Sequence, residues 1–270
     1  MAERHARRGF VSAPPSLRLD GRLAIVTGAS EGIGRAIALA YAEAGARVVL
    51  VARRADALEA VRSAIHARGG EATALTADVS RFEDIGACAA RFRAEADDGA
   101  APLVLVNNAG NDLPKPALEV TEADWDGVHD LHLKGTFFVA QAIGAIMIAR
   151  GYGKIINMSS TWSRSAGAGK SVYCAAKAGV SHLTAALSTE WAPLGVRVNA
   201  LAPTAVMTSA TQRALQANPA RAAELLKRIP LGRLSQTADL IGAALFLASD
   251  ASDFMTGDTL FVDGGFVAAR

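Results

Sequence analysis

From Arg22 onward, short runs of apolar and largely β-branched residues alternate with longer stretches in which apolar positions recur every three or four residues. The short runs, at 23–27, 48–51, 72–75, 103–106, 154–158, 196–200 and 259–262, predict seven strands, and their near-continuous apolarity points to a parallel sheet buried on both faces. The longer stretches, at 33–43, 55–68, 82–96, 122–150, 171–192 and 237–249, predict the helices that cover it. The fold class expected is therefore α/β, a single Rossmann-like doubly wound parallel sheet of seven strands with helices on both faces. The segment 203–230 breaks the rhythm, with helical pattern but no predicted strand. It follows a strand's carboxyl end, where such sheets open their crevices, and so predicts a substrate lid near 204–230.

At 270 residues and 51% hydrophobic, the chain can bury one large core and needs no second domain, so residues 19–270 are expected to form one unit behind a flexible tail, 1–18. A net charge of +2 leaves no basic stripe for phosphate neutralisation, which argues against nucleic acid as a partner. Charged residues interrupt each apolar stretch before the ~20 residues that a bilayer crossing requires, so no membrane association is expected. The two cysteines, Cys88 and Cys174, fit a reduced compartment better than a disulfide framework. Arg7-Arg8-Gly9-Phe10 hints at an export signal, yet no apolar region follows and Pro14-Pro15 leads into the first strand; a cytoplasmic location is expected.

Between the first strand and first helix stands Thr27-Gly28-Ala29-Ser30-Glu31-Gly32-Ile33-Gly34. A glycine-rich turn at a helix N-terminus lets backbone N–H groups approach a pyrophosphate, and the helix dipole favours the charge. Gly28, Gly32 and Gly34 supply turn, approach and packing, and Ser30 and Ile33 lie on the same loop; glycines also serve ordinary turns, so placement carries the reading. After the second strand, where a carboxylate would meet the ribose 2′-OH of NAD, the chain has Arg53 and Arg54. NADP(H) is expected, with NAD(H) the second choice. The two arginines also suit a solvated helix start, and Glu31 in the loop could oppose a 2′-phosphate.

Beyond the loop, Asp78-Val79, Asn107-Asn108-Ala109-Gly110, Ser160, Tyr173 with Lys177 four residues on, Asn199 and Pro203 occur in a distinctive order. In these motifs, from about Leu19 to Gly265, the chain resembles the short-chain dehydrogenase/reductase family. The resemblance implies an enzyme that interconverts a carbonyl and a secondary alcohol, with Asp78 and Val79 flanking adenine, Asn108 bracing the fourth strand, and Pro203, Val206 and Thr208 beside the nicotinamide. It also implies a homotetramer built on the helices 122–150 and 171–192.

The chemistry can be read from the residues as well. A carbonyl accepting a hydride develops alkoxide charge and needs a proton donor and a second polarising donor. Tyr173 and Lys177 are neighbours on one helix face, and the ammonium favours phenolate. Lys177 can also hold ribose hydroxyls, and Ser160 can orient the substrate oxygen, with Ser159 a structural hydroxyl. Singly, Tyr173 and Lys177 could be surface residues. Their company makes them candidates.

Two positions depart from the family pattern: His132, where an asparagine usually holds a water linked to the lysine, and Thr204, where glycine usually follows the proline. A neutral imidazole can donate and accept as an amide does, so His132 is a further catalytic candidate, with a pKa expected to be pushed down by Lys177. These departures keep open a catalytically silent NADP(H) sensor. Trp162, Arg164 and Thr204 are the expected substrate-pocket residues, and Arg164, Lys115 and Lys170 could each meet a carboxylate or phosphate. The substrate expected is a small carbonyl or alcohol; no metal site is expected.

Overall fold

The computed structural model describes residues 15–97 and 102–269. The strands among them are β1 (Leu23–Thr27), β2 (Arg47–Ala52), β3 (Glu71–Thr76), β4 (Leu103–Asn107), β5 (Gly153–Met158), β6 (Val196–Pro203), β7 (Val206–Met207), β8 (Ser235–Gln236) and β9 (Thr259–Val262). The α-helices are α1 (Gly32–Glu43), α2 (Ala55–His66), α3 (Phe82–Asp97), α4 (Glu122–His129), α5 (Gly135–Arg150), α6 (Ser171–Trp191), α7 (Ser209–Ala217), α8 (Pro219–Lys227) and α9 (Thr237–Ala248).

Seven strands form one parallel sheet in the order β3-β2-β1-β4-β5-β6-β9. The chain starts at the sheet's centre, winds outward to β3, then returns to place β4 beside β1. That reversal opens a crevice at the carboxyl ends of β1 and β4. Side chains alternate across the sheet: Ala24 and Val26 of β1 pack with α1, α2 and α9, while Leu23 and Ile25 face the core under α3, α5 and α6. Ile25 is wholly buried, and truncating it to Ala would cost about 2–5 kcal/mol.

Three expectations need correction. The segment 203–230 does contain a strand: β6 runs on through Pro203, and Val206–Met207 pairs with Ser235–Gln236. Two residues per strand carry too little alternation to register in the sequence. Next, 122–150 is one helical stretch long and apolar enough by composition to cross a bilayer; half of the qualifying window is buried inside the fold, as in a core helix. Its apolarity serves packing against α3, α6, β4 and β5. Third, that stretch is not uniform, because Asp130–Lys134 forms a π-helical turn between α4 and α5. The twin-arginine segment and most of the 1–18 tail lie outside the described residues. Of its last residues, Arg18 bonds Asp20 and reaches the Glu43 carbonyl at the end of α1.

Candidate functional site

The β1–α1 turn is built by exclusion of side chains. Gly28 has φ +66°, and a Cβ on it would stand 2.8 Å from Asn108 Nδ2. A Cβ on Gly34 would lie 2.3 Å from the Gly28 carbonyl oxygen, so Gly34 packs behind the turn and does not line the crevice. Asn108 Nδ2 donates to the carbonyls of Thr27 (3.0 Å) and Gly28 (3.3 Å), while the Asn108 and Ala109 N–H groups donate to Thr27 Oγ1. The loops after β1 and β4 are thereby fixed to each other. No side chain caps α1 and no acid stands in its first turn, leaving that helix end suited to an anion.

Gly28, Ser30 and Ile33 line a crevice of about 480 Å³, together with Arg53, Arg54, Asp78, Val79 and Asn108. Glu31 pairs with Arg54 at 3.1 Å, both half-exposed, so the loop's acid is answered by one of the two arginines. Arg53 is more exposed and sits 3.9 Å from Asp78. Burial opposes charge on Asp78, but hydrogen bonds from Ser80 and the nearby Arg53 outweigh it and hold the carboxyl below its usual range.

The other end of the same crevice gathers Ser160, Tyr173, Lys177 and His132. Ser160 stands just past β5, at the head of a short 3₁₀ turn, and its Oγ accepts from Trp162 N–H at 3.3 Å. Its neighbour Ser159 shares a 2.7 Å hydrogen bond with Ser181 on α6. Tyr173 and Lys177 project from successive turns of α6. Burial, helped by the Asp112 carboxylate, pushes the Tyr173 phenol above the ordinary tyrosine value, against the Ser160 hydrogen bond. The expected phenolate-favouring effect of Lys177 is overridden here: Lys177 Nζ lies 5.7 Å from the ring centroid and donates to the Met158 carbonyl at 2.7 Å. Burial holds the lysine itself down to about 7.

His132 sits in the π-helical turn and is 1% exposed. Its Nε2 lies 2.9 Å from the Asn111 carbonyl oxygen and 3.2 Å from the Asn111 backbone nitrogen, so one ring nitrogen meets both an acceptor and a donor of Asn111. Nδ1 is buried and has no hydrogen-bond partner among the described residues. Burial first, and Lys177 second, lower the imidazole to about 2. The direction expected from sequence holds, but desolvation leads and the lysine follows.

Trp162 and Thr204 line the substrate end, joined by Pro203, Val206 and Thr208. Thr208 caps α7 by accepting from Thr211 N–H at 3.2 Å, and its Cγ2 would touch a Cβ on Gly32. Arg164 is a correction: it does not line the crevice, and its guanidinium lies 5.0 Å over the Phe261 ring. Lys115 is likewise absent from the lining and pairs with Asp124 at 2.5 Å. Lys170 does line it, paired with Asp112. The pairing of Lys170 with Asp112 carries no periodic or motif signal in the sequence. Ala214, Leu215 and Leu225 of α7 and α8 complete the wall.

The family model described as "Enoyl-(Acyl carrier protein) reductase" matches residues 28–267. This chain belongs to the short-chain dehydrogenase/reductase family. It is 41% identical to the 2-dehydro-3-deoxy-D-gluconate 5-dehydrogenase of Escherichia coli, over 93% of this chain and 97% of that one. It is 40% identical to the D-threitol dehydrogenase of Mycolicibacterium smegmatis, over 92% and 94% respectively. Among solved structures, a gluconate 5-dehydrogenase from Burkholderia cenocepacia in complex with NADP and tartrate superposes with a TM-score of 0.88 at 40% identity, covering 94% of this chain and 98% of that one. The chain is an oxidoreductase of the dehydrogenase kind that this family comprises.

Proposed function

We propose that this protein is an NADP(H)-dependent dehydrogenase that interconverts a secondary alcohol and a carbonyl on a small polyhydroxylated substrate. The observation that carries the reading is one continuous crevice, with an uncapped helix N-terminus and Arg53 at one end and Ser160, Tyr173 and Lys177 at the other. The residues fit the cofactor. The β1–α1 turn, with Gly28, Ser30, Gly32 and Ile33 on the crevice wall and Gly34 packed behind it, would present backbone N–H groups to a pyrophosphate, and Arg53 would offer a guanidinium to a 2′-phosphate. Asp78 and Val79 would flank the adenine, Asn108 braces the β1–α1 loop, Arg54 pairs with Glu31, and Pro203, Val206 and Thr208 would close the nicotinamide side.

Bound there, NADP(H) supplies or accepts the hydride. Tyr173 Oη gives its proton to the carbonyl oxygen in reduction and takes it back in oxidation. Ser160 Oγ donates to the same oxygen and polarises it. Lys177 lies beside the ring, positioned by the Met158 carbonyl to hold ribose hydroxyls. His132 is a positioning residue: Nε2 holds the Asn111 backbone, and the unpartnered Nδ1 would bond a water linked to Lys177. Thr204 and Trp162 wall the substrate, and 204–230, carrying α7 and α8, acts as its lid.

A silent sensor gains no support from relatives that are themselves named dehydrogenases. A homotetramer draws support from the shallow apolar groove along α5 and α6, where Leu133, Phe137 and Leu183 meet. Free Cys88 and Cys174 suit a reducing, cytoplasmic setting. Nicotinamide absorbance, followed with NADP(H) and NAD(H) across a panel of polyols, aldonates and their keto forms, tests the proposal. Turnover favouring NADP(H) supports it; a complete lack of turnover with cofactor bound refutes it.

A further inference from the structure

The relatives include enzymes named for sugar acids and enzymes named for neutral polyols, and the substrate end of this crevice holds a feature that bears on the choice. Lys170 immediately precedes α6, three residues before Tyr173, and its side chain is 5% exposed. Its ammonium pairs with both carboxylate oxygens of Asp112, on the loop after β4, whose side chain is 47% exposed. Both residues line the crevice, and Lys170 Nζ lies 5.6 Å over the Tyr173 ring. The two loops are also joined by backbone, since Lys115 N–H donates to the Gly169 carbonyl at 3.0 Å. The carboxylate is close enough to the reacting phenol to oppose its ionisation.

The order of these groups matters. The ammonium is buried and the carboxylate is the more exposed partner, so a ligand entering the crevice meets Asp112 before Lys170. A carboxylate substrate would be repelled by Asp112 or would have to displace it from a paired, partly buried position. A neutral polyol instead finds an ionised acceptor able to take hydroxyl protons, which is a charge-assisted hydrogen bond.

We propose that the Asp112–Lys170 pair is a specificity determinant that selects neutral polyols and their ketoses over aldonates. This rests on the dehydrogenase reading above and names the substrate class for the same site. A pair serving only to staple two loops would weaken both ligand classes alike, so the ratio between them is the diagnostic quantity.

The test uses binding and turnover together. Tyr173→Phe protein saturated with NADP⁺ is titrated calorimetrically with galactitol, threitol, D-gluconate and tartrate, and the same background then receives Asp112→Asn or Lys170→Gln. The parent is expected to bind the polyols at least about tenfold more tightly than the aldonate or tartrate. Asp112→Asn, which keeps an oxygen for Lys170, is expected to shift the ratio at least about tenfold toward the anions, and Lys170→Gln to shift it the other way. In enzymes with Tyr173 intact, kcat/KM ratios should move in the same directions. Tighter binding of gluconate than of polyols by the parent, or a ratio unmoved by both substitutions in proteins that keep the parent Tm, overturns the inference. Selective polyol binding without any turnover by the Tyr173-containing enzyme would sustain this inference and defeat the dehydrogenase reading instead.

Discussion

The His132 imidazole meets the Tyr173 phenol edge to face, with ring centroids 5.3 Å apart and planes at 86°. The contact places a permanently neutral imidazole against the proposed acid–base group, since burial and Lys177 hold His132 at about 2. Protonation of His132 therefore gives no acid limb between about pH 5 and 8. Wild type and His132→Asn should show superimposable pH–rate profiles there, whereas His132→Leu, with no ring nitrogen for the Asn111 backbone or at the Nδ1 position, should lose most of its kcat. An unimpaired Leu variant would reduce His132 to packing.

The same histidine affects stability. Its folded pKa lies below the unfolded value, so between about 2 and 6.5 the unfolded chain binds the extra proton and stability rises with pH. His132→Asn removes that term, and its acid-unfolding midpoint should move to lower pH than that of wild type. Circular dichroism during acid titration reads the shift directly.

Tyr173→Phe deletes only the hydroxyl and keeps the ring between His132 and Lys177. Turnover should fall below about a tenth of wild type, and NADP(H) affinity should stay within roughly threefold. Fluorescence titration of the cofactor, set beside steady-state rates, separates the two effects.

Arg53 and Arg54 should not contribute equally. Arg54 is engaged by Glu31 at 3.1 Å, whereas Arg53 has only a distant carboxylate at 3.9 Å. Arg53→Asp should weaken NADPH by roughly tenfold or more, a charge-assisted bond being worth about 1.5–3 kcal/mol, and should leave NADH within a few-fold. Wild-type preference for NADH would show that Glu31 governs the site.

Arg228, just past α8, lies 4.2 Å over the Phe266 ring and 5.3 Å over Trp162, which itself meets Phe266 edge-on at 5.7 Å. This stack fastens the end of the proposed lid to Trp162, which lines the crevice. Removing a cation–π contact costs about 0.5–2 kcal/mol, so Arg228→Ala should raise substrate KM roughly two- to thirtyfold without altering the cofactor Kd. Equal losses in both constants would place Arg228 in general stability.

Much of this architecture was legible in sequence because it rests on repeated local signals. The inner strands β1, β2, β4, β5 and β6 are runs buried on both faces, the edge strands β3 and β9 are partly exposed, and β1 and β9 begin and end where the pattern predicts. The phosphate turn was legible for a different reason: Gly28 and Gly34 have neighbours that exclude any Cβ. What escaped depends on distant partners. Arg164 looks like an anion ligand in a loop, and only the folded chain sets it against Phe261. Asp112 and Lys170 are 58 residues apart, and no local spacing announces their pairing. The π-helical turn was equally invisible, since one extra residue barely disturbs helical periodicity across 122–150.

That turn acts as a gauge block between the two ends of the cofactor crevice. On one side His132 lies so close to the chain after β4 that a Cβ on Gly110 would stand 2.6 Å from its Cε1; three residues later, a Cβ on Gly135 would stand 2.6 Å from the Val79 carbonyl. The chain after β3 and the chain after β4 are thus both seated against residues 132–135, which span the end of that turn and the first residue of α5. Deleting one residue of the turn to restore an ordinary helix would rotate what precedes it by about 100° and carry His132 away from Asn111. The spacing of two loops that wall the crevice is therefore set by a helix that belongs to neither of them.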